Sequence, residues 1–135
     1  MKKFFAALLV SSFLLAGIPQ AFADTAGEKA FKQFHKHLIE TRKDFQKNKL
    51  SDAAKEISKA GSLLSAQNAG AEGRSRKMLR NTVAEFDRVL HDFDLLTDRR
   101  KRGIEEAFRH GKQALAMRYK IHERDIPALE KDAES

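Results

Sequence analysis

Between Arg76 and Thr97, in RKMLRNTVAEFDRVLHDFDLLT, the apolar residues Leu79, Val83, Phe86, Leu90 and Phe93 recur at alternating steps of four and three. On a helix that spacing gathers them into one stripe, which is stable only when other elements cover it. Asp87, His91, Asp94 and Asp98 step by four, three and four beside the stripe, so a second ridge carries acid and imidazole. No two-residue alternation of the kind that marks a half-buried strand occurs from residue 24 onward. The pattern therefore predicts an all-α fold built by packing such stripes together.

Three further stretches carry the same signal. Thr25-Ala26-Gly27-Glu28 reads as a capping box that opens a first helix, with Phe31, Phe34, Leu38, Thr41 and Phe45 as its stripe to about Lys47. After an Asn48-Lys49-Leu50 turn, Ser51 reads as the N-cap of a second helix. That helix carries Ala54, Ile57, Gly61 and Leu64, flanked by Ala53, Ala60 and Leu63, residues small enough for a neighbour to approach closely. The glycines of Asn68–Gly73 mark a loop, and Arg74 or Ser75 opens the third helix. Arg99-Arg100-Lys101-Arg102-Gly103 reads as a basic last turn with a glycine stop, while Thr97-Asp98 could instead cap the fourth helix earlier; the break to that helix is placed between Thr97 and Ile104. Ile104, Phe108, Gly111, Leu115 and Tyr119 form the fourth stripe. Pro127 ends that helix, and 127–135 follow as a frayed charged tail. The expected architecture is an up-down-up-down four-helix bundle over residues 24–126.

What precedes the bundle has a different character. Met1-Lys2-Lys3 is cationic, Phe4 to Ile18 is apolar and uncharged, and Ala21-Phe22-Ala23 is a small-x-small cleavage pattern. Residues 1–23 are thus expected to be a secretory signal peptide, too short for a stable membrane span. Cleavage would leave 24 basic and 19 acidic residues in a periplasmic or secreted protein. The chain has no cysteine, so disulfides cannot staple it and packing alone must hold it.

Folding the bundle on paper brings several chemistry-bearing residues to one level. His35, His37, His91 and His110 fall within about 9 Å of one another in height, at 1.5 Å of rise per residue. Asp87, Asp94 and Glu106 share that layer. Helical bundles build metal sites from such side chains on facing helices, and the expected ligand set is His37, Asp87, His91, Asp94 and His110, holding a transition metal ion. Against this, no Glu-x-x-His occurs, and Arg88 and Arg109 would repel a cation. The plainer reading is a solvated stripe of ion pairs with no cofactor at all. Covalent haem is excluded without cysteine. A non-covalent b-type haem would have to use Met78 and His122.

Arg99, Arg100, Lys101 and Arg102 form the densest charge run and could hold an anionic envelope surface. The ordinary alternative is compensation of a helix dipole. Nucleic acid is not expected as a partner, since no aromatics interleave the run. No phosphate loop, nucleophile elbow or His-Glu-x-x-His is present. The width of the third stripe would also serve a homodimer.

From Lys43 to Leu64, KDFQKNKLSDAAKEISKAGSLL resembles small exported helical proteins of the YfdX and small-metal-binding type, and the stretch from Gln113 continues the likeness. The resemblance covers about a fifth of the chain and implies export, Ala-rich amphipathic helices and a lack of cysteine. Metal-associated members carry many more histidines than the five here. The expected function is that of an exported, non-enzymatic binding protein, acting in envelope stress or as an accessory to a partner protein, with a periplasmic metal carrier as the alternative.

Overall fold

A computed structural model describes residues 25–93 and 98–135, the side chains of Asp98 and Arg99 excepted. The expected signal peptide at 1–23 and the candidate ligand Asp94 lie outside the described residues. All regular structure among the described residues is helical: α1 (Ala26–Gln46), α2 (Leu50–Ala66), α3 (Gly73–His91), α4 (Asp98–Tyr119), a 3-10 turn (Glu123–Asp125) and α5 (Ile126–Glu134). No helix among them is long and apolar enough to cross a membrane.

The first helix starts where its cap predicts. Glu28 N–H donates to Thr25 Oγ1 at 3.1 Å, and Thr25 N–H donates back to Glu28 Oε1 at 3.0 Å. At the other end the chain turns through Asn48 at φ 56°, a left-handed conformation that Asn tolerates. The second helix then opens at Leu50 with Lys49 as N-cap and no side-chain cap bond, so Ser51 lies inside it rather than capping it.

Packing follows the stripes. α1 contacts α2, α4 and α5, α2 contacts α3, and α3 contacts α4, so α1 to α4 enclose one core. At its centre the rings of Phe34, Phe86 and Phe108 meet pairwise, with centroids 5.1 to 5.8 Å apart. All three are essentially sealed from solvent, and burial of each contributes about 1.5–3 kcal/mol. The small residues of α2 make room for them. A Cβ on Gly61 would stand 3.3 Å from Phe86 Cβ, which is how the glycine offsets its helix cost. The buried line on α2 is Ala53, Ile57, Ala60 and Leu64, rotated slightly from the expected Ala54–Gly61 line.

Two boundaries differ from expectation. α3 ends at His91 and α4 begins at Asp98, so Arg99 to Gly103 open α4 instead of closing α3. The tail is also ordered. α4 stops at Tyr119, Lys120 takes φ 55°, and Pro127 sits in the first turn of α5. First-turn N–H groups have no intrahelical acceptor, so proline costs nothing there and its fixed φ suits the helix. Leu129 and Ala133 of α5 are buried, and the helix packs on α1. Residues 127–135 are therefore a docked element of the fold, not a frayed tail.

Candidate functional site

The described members of the expected metal layer each have their own surroundings. His37 of α1 donates through Nδ1 to Glu56 of α2 at 2.8 Å. Partial burial pushes the Glu56 carboxyl up, but hydrogen bonds from His37 and Lys59 outweigh it and hold the group below its ordinary range. His110 of α4 donates through Nδ1 to Glu85 of α3 at 2.9 Å. Its second nitrogen accepts from Arg109 Nη2 at 3.3 Å, so both ring atoms are engaged. His91 and Asp87 are exposed, and Asp94 lies outside the described residues. Among the described residues no three His, Asp or Glu side chains converge as a metal site would require. The geometry thus brings His37 and His110 to carboxylates on adjacent helices, not to each other. Of the two haem candidates, Met78 packs partly buried against the core and His122 is exposed in the turn after α4.

His35 is the buried imidazole. Its Nε2–H donates to Glu134 of α5 at 2.9 Å, while Lys112 of α4 donates to Nδ1 at 3.4 Å. Lys112 also bonds Glu130 of α5. Carboxylate, ammonium and imidazole thereby pin α5 across α1 and α4, a structural role that the height of His35 in the expected layer could not show.

The basic run sits at the positive pole of α4, the reverse of dipole compensation. Part of it is spent within the fold. Arg100 Nη1 lies 3.2 Å from Asp92, and Lys101 Nζ sits 5.9 Å from the centre of the Phe45 ring. Phe45 in turn stacks on Phe93 at 6.2 Å. Arg102 is exposed, and the side chain of Arg99 lies outside the described residues.

At this end of α3 and α4 a hollow of about 390 Å³ opens between Glu85, Arg88, Val89, Asp92, Phe93, Arg100, Gly103 and Ile104. Its size is that of a small-molecule site. Val89, Phe93 and Ile104 supply apolar surface. Glu85 is engaged by His110 and Asp92 by Arg100, whereas Arg88 has no acidic partner among the described residues. The sequence hint was Val89, an apolar residue off the four-three stripe of α3, with Arg88 beside it. No family model matches the chain, and no curated protein or solved structure matches it.

Proposed function

We propose that the chain is an exported, non-enzymatic up-down-up-down bundle that works by binding, and that its ligand is a small anionic amphiphile held in the hollow between α3 and α4. The antiparallel order is supported at both ends. Tyr119 near the close of α4 lies against Gly27 at the start of α1, and Arg42 near the close of α1 pairs with Glu105 early in α4. The observation that carries the ligand class is Arg88, a cation without an acidic partner among the described residues, lining the same hollow as Val89, Phe93 and Ile104. A carboxylate or sulfonate would meet Arg88 while its alkyl part covers the apolar floor. Such a protein would carry amphiphiles in the envelope or hand them to a partner, a role at home in envelope stress.

Calorimetric titration with laurate and with uncharged dodecanol tests this. Laurate binds, dodecanol binds at least tenfold more weakly, and Arg88→Gln removes the difference between them. Phe93→Ala weakens both. Equal affinity for the two probes, or no binding of laurate, sinks the reading.

A further inference from the structure

The N-terminal half of α3 carries a second concentration of charge, at the other end of that helix from the hollow just described. Residues 73–84 contain Arg74, Arg76, Lys77 and Arg80 and no acid. All four are exposed, and none pairs with an acidic side chain among the described residues. Arg74 and Lys77 are three apart, as are Lys77 and Arg80, and Arg76 and Arg80 are four apart. Each pair therefore places like charges side by side on the helix surface. Arg74 and Arg76 also lie in the first turn, at the positive pole of the helix, where cations are disfavoured. Elsewhere the chain relieves such contacts, as where Lys43 reaches Glu40 at 3.6 Å and Lys59 reaches Glu56 at 3.4 Å. For the four cations of α3 no acidic side chain among the described residues does so.

The surroundings indicate what would. A second hollow, of about 510 Å³, is lined by Arg74 and Ser75 of α3 with Met117, Arg118 and Lys120, and by one carboxylate, that of the N-cap residue Glu72, so cations outnumber acids there by three to one. Met117, at 37% exposure, is one of two large apolar side chains left exposed among the described residues, the other being Leu50. Arg118 is held in place by the carbonyls of Gln67 and Ala69 and lies over the Tyr119 ring at 4.6 Å. The face thus presents clustered cations beside one apolar side chain. Phosphate-bearing lipid head groups match the cations, and the shallow apolar layer beneath them matches Met117. Single-stranded nucleic acid would call for exposed aromatics on which bases stack, and the face offers none among its lining residues.

We propose that this face of α3, carried by Arg74, Arg76, Lys77 and Arg80, docks the protein on a membrane surface rich in anionic phospholipid. The docking face uses residues separate from the amphiphile hollow, so either assignment stands without the other.

Co-sedimentation with vesicles tests it. The purified chain should bind phosphatidylcholine vesicles containing phosphatidylglycerol, fail to bind pure phosphatidylcholine, and lose binding as salt is raised. At about fivefold per charge, the variant R76Q/K77Q/R80Q should lose roughly a hundredfold in partitioning and Lys77→Gln alone about fivefold, both with unchanged helical circular dichroism. Arg102→Gln at the opposite end should bind as the parent does. Equal binding to neutral vesicles, full binding by both α3 variants, or a loss confined to Arg102→Gln overturns the proposal. So does tighter binding of a single-stranded oligonucleotide than of the anionic vesicles at the same salt. Should the triple variant fail to fold, the single Lys77→Gln variant decides.

Discussion

Gly111 on α4 lies directly beneath the ring of Phe34 on α1, so closely that a Cβ there would stand 2.7 Å from Phe34 Cε2 and 3.2 Å from Leu64 Cδ1. The aromatic core depends on that missing methyl group, because Phe34 lies against α4 at Gly111 while it meets Phe108 of α4 and Phe86 of α3.

Two substitutions to alanine on the same helix should therefore act in opposite directions. Alanine gains about 1 kcal/mol over glycine in a helix interior. At Gly103 a Cβ meets nothing within 4 Å, so Gly103→Ala should stabilise by about 0.5–1 kcal/mol. At Gly111 the ring it strikes is sealed in the core and has no space to move into, and overpacking costs about 1–3 kcal/mol or more. Gly111→Ala should come out destabilised despite its propensity gain. Urea unfolding followed by circular dichroism checks both signs, and a stable Gly111→Ala would show that Phe34 is free to repack.

The contrast marks how far the sequence could be read. The stripes of α1, α3 and α4 were visible because burial repeats with the helical period. Phe31, Phe34 and Leu38, Leu79 and Phe86, and Ile104, Phe108 and Leu115 are all in the core. Gly61 was legible as a close-packing residue for the same reason. Boundaries were harder. Arg99 to Gly103 matches the composition of a helix end, yet tertiary packing of Ile104, Ala107 and Phe108 extends α4 back through it. Pro127 can either end or begin a helix, and only the burial of Leu129 and Ala133 decides between the two. The candidate site was the least legible part. Equal heights along three helices do not fix which faces meet, and His37 and His110 turned to Glu56 and Glu85 on adjacent helices.

The docked C-terminal helix offers a second test. Leu129 is 7% exposed and joins the main core cluster. Leu129→Ala should destabilise the whole protein by about 2–3 kcal/mol, within the range for truncating a buried leucine, with one cooperative transition. A change below about 0.5 kcal/mol would mean that α5 detaches without cost and that the His35–Glu134 and Lys112–Glu130 contacts are incidental.

Acid stability should depend on Glu105. Arg42 Nε and Nη2 donate to its two oxygens at 2.8 and 2.7 Å, and this bond, against partial burial, holds the carboxyl below its ordinary 4.5. A carboxyl depressed in the folded state contributes stability that is complete above its unfolded pKa and disappears as pH falls through the folded one. Both partners are nearly half exposed, so solvent screening limits the contribution to about 0.5–1 kcal/mol. Glu105→Gln should thus be less stable than the parent at pH 7, with the gap closing as pH is lowered below 4.5. Parallel urea titrations at pH 7 and pH 3 read this out. A gap that persists at low pH would assign the loss to packing of the side chain and not to its charge.

The crowding of charge on α3 can be tested on the fold itself, without any ligand. Arg74 lies in the first turn of the helix, three residues from Lys77 and lining one hollow with Arg118 and Lys120. Arg74→Glu places an anion at the positive pole, a change of about 0.3–1 kcal/mol. It also turns a repulsive i,i+3 pair into an attractive one, for a further few tenths, about 0.2–0.5 kcal/mol. The variant should therefore unfold at higher urea concentration than the parent at low ionic strength, and the two should converge in molar salt, where the Debye length falls to about 3 Å. A residue that lowers the stability of its own helix while exposed needs another reason to be there. If Arg74→Glu is less stable than the parent in low salt, the four cations do not repel one another in the folded chain, and the energetic ground for assigning them to an anionic surface disappears.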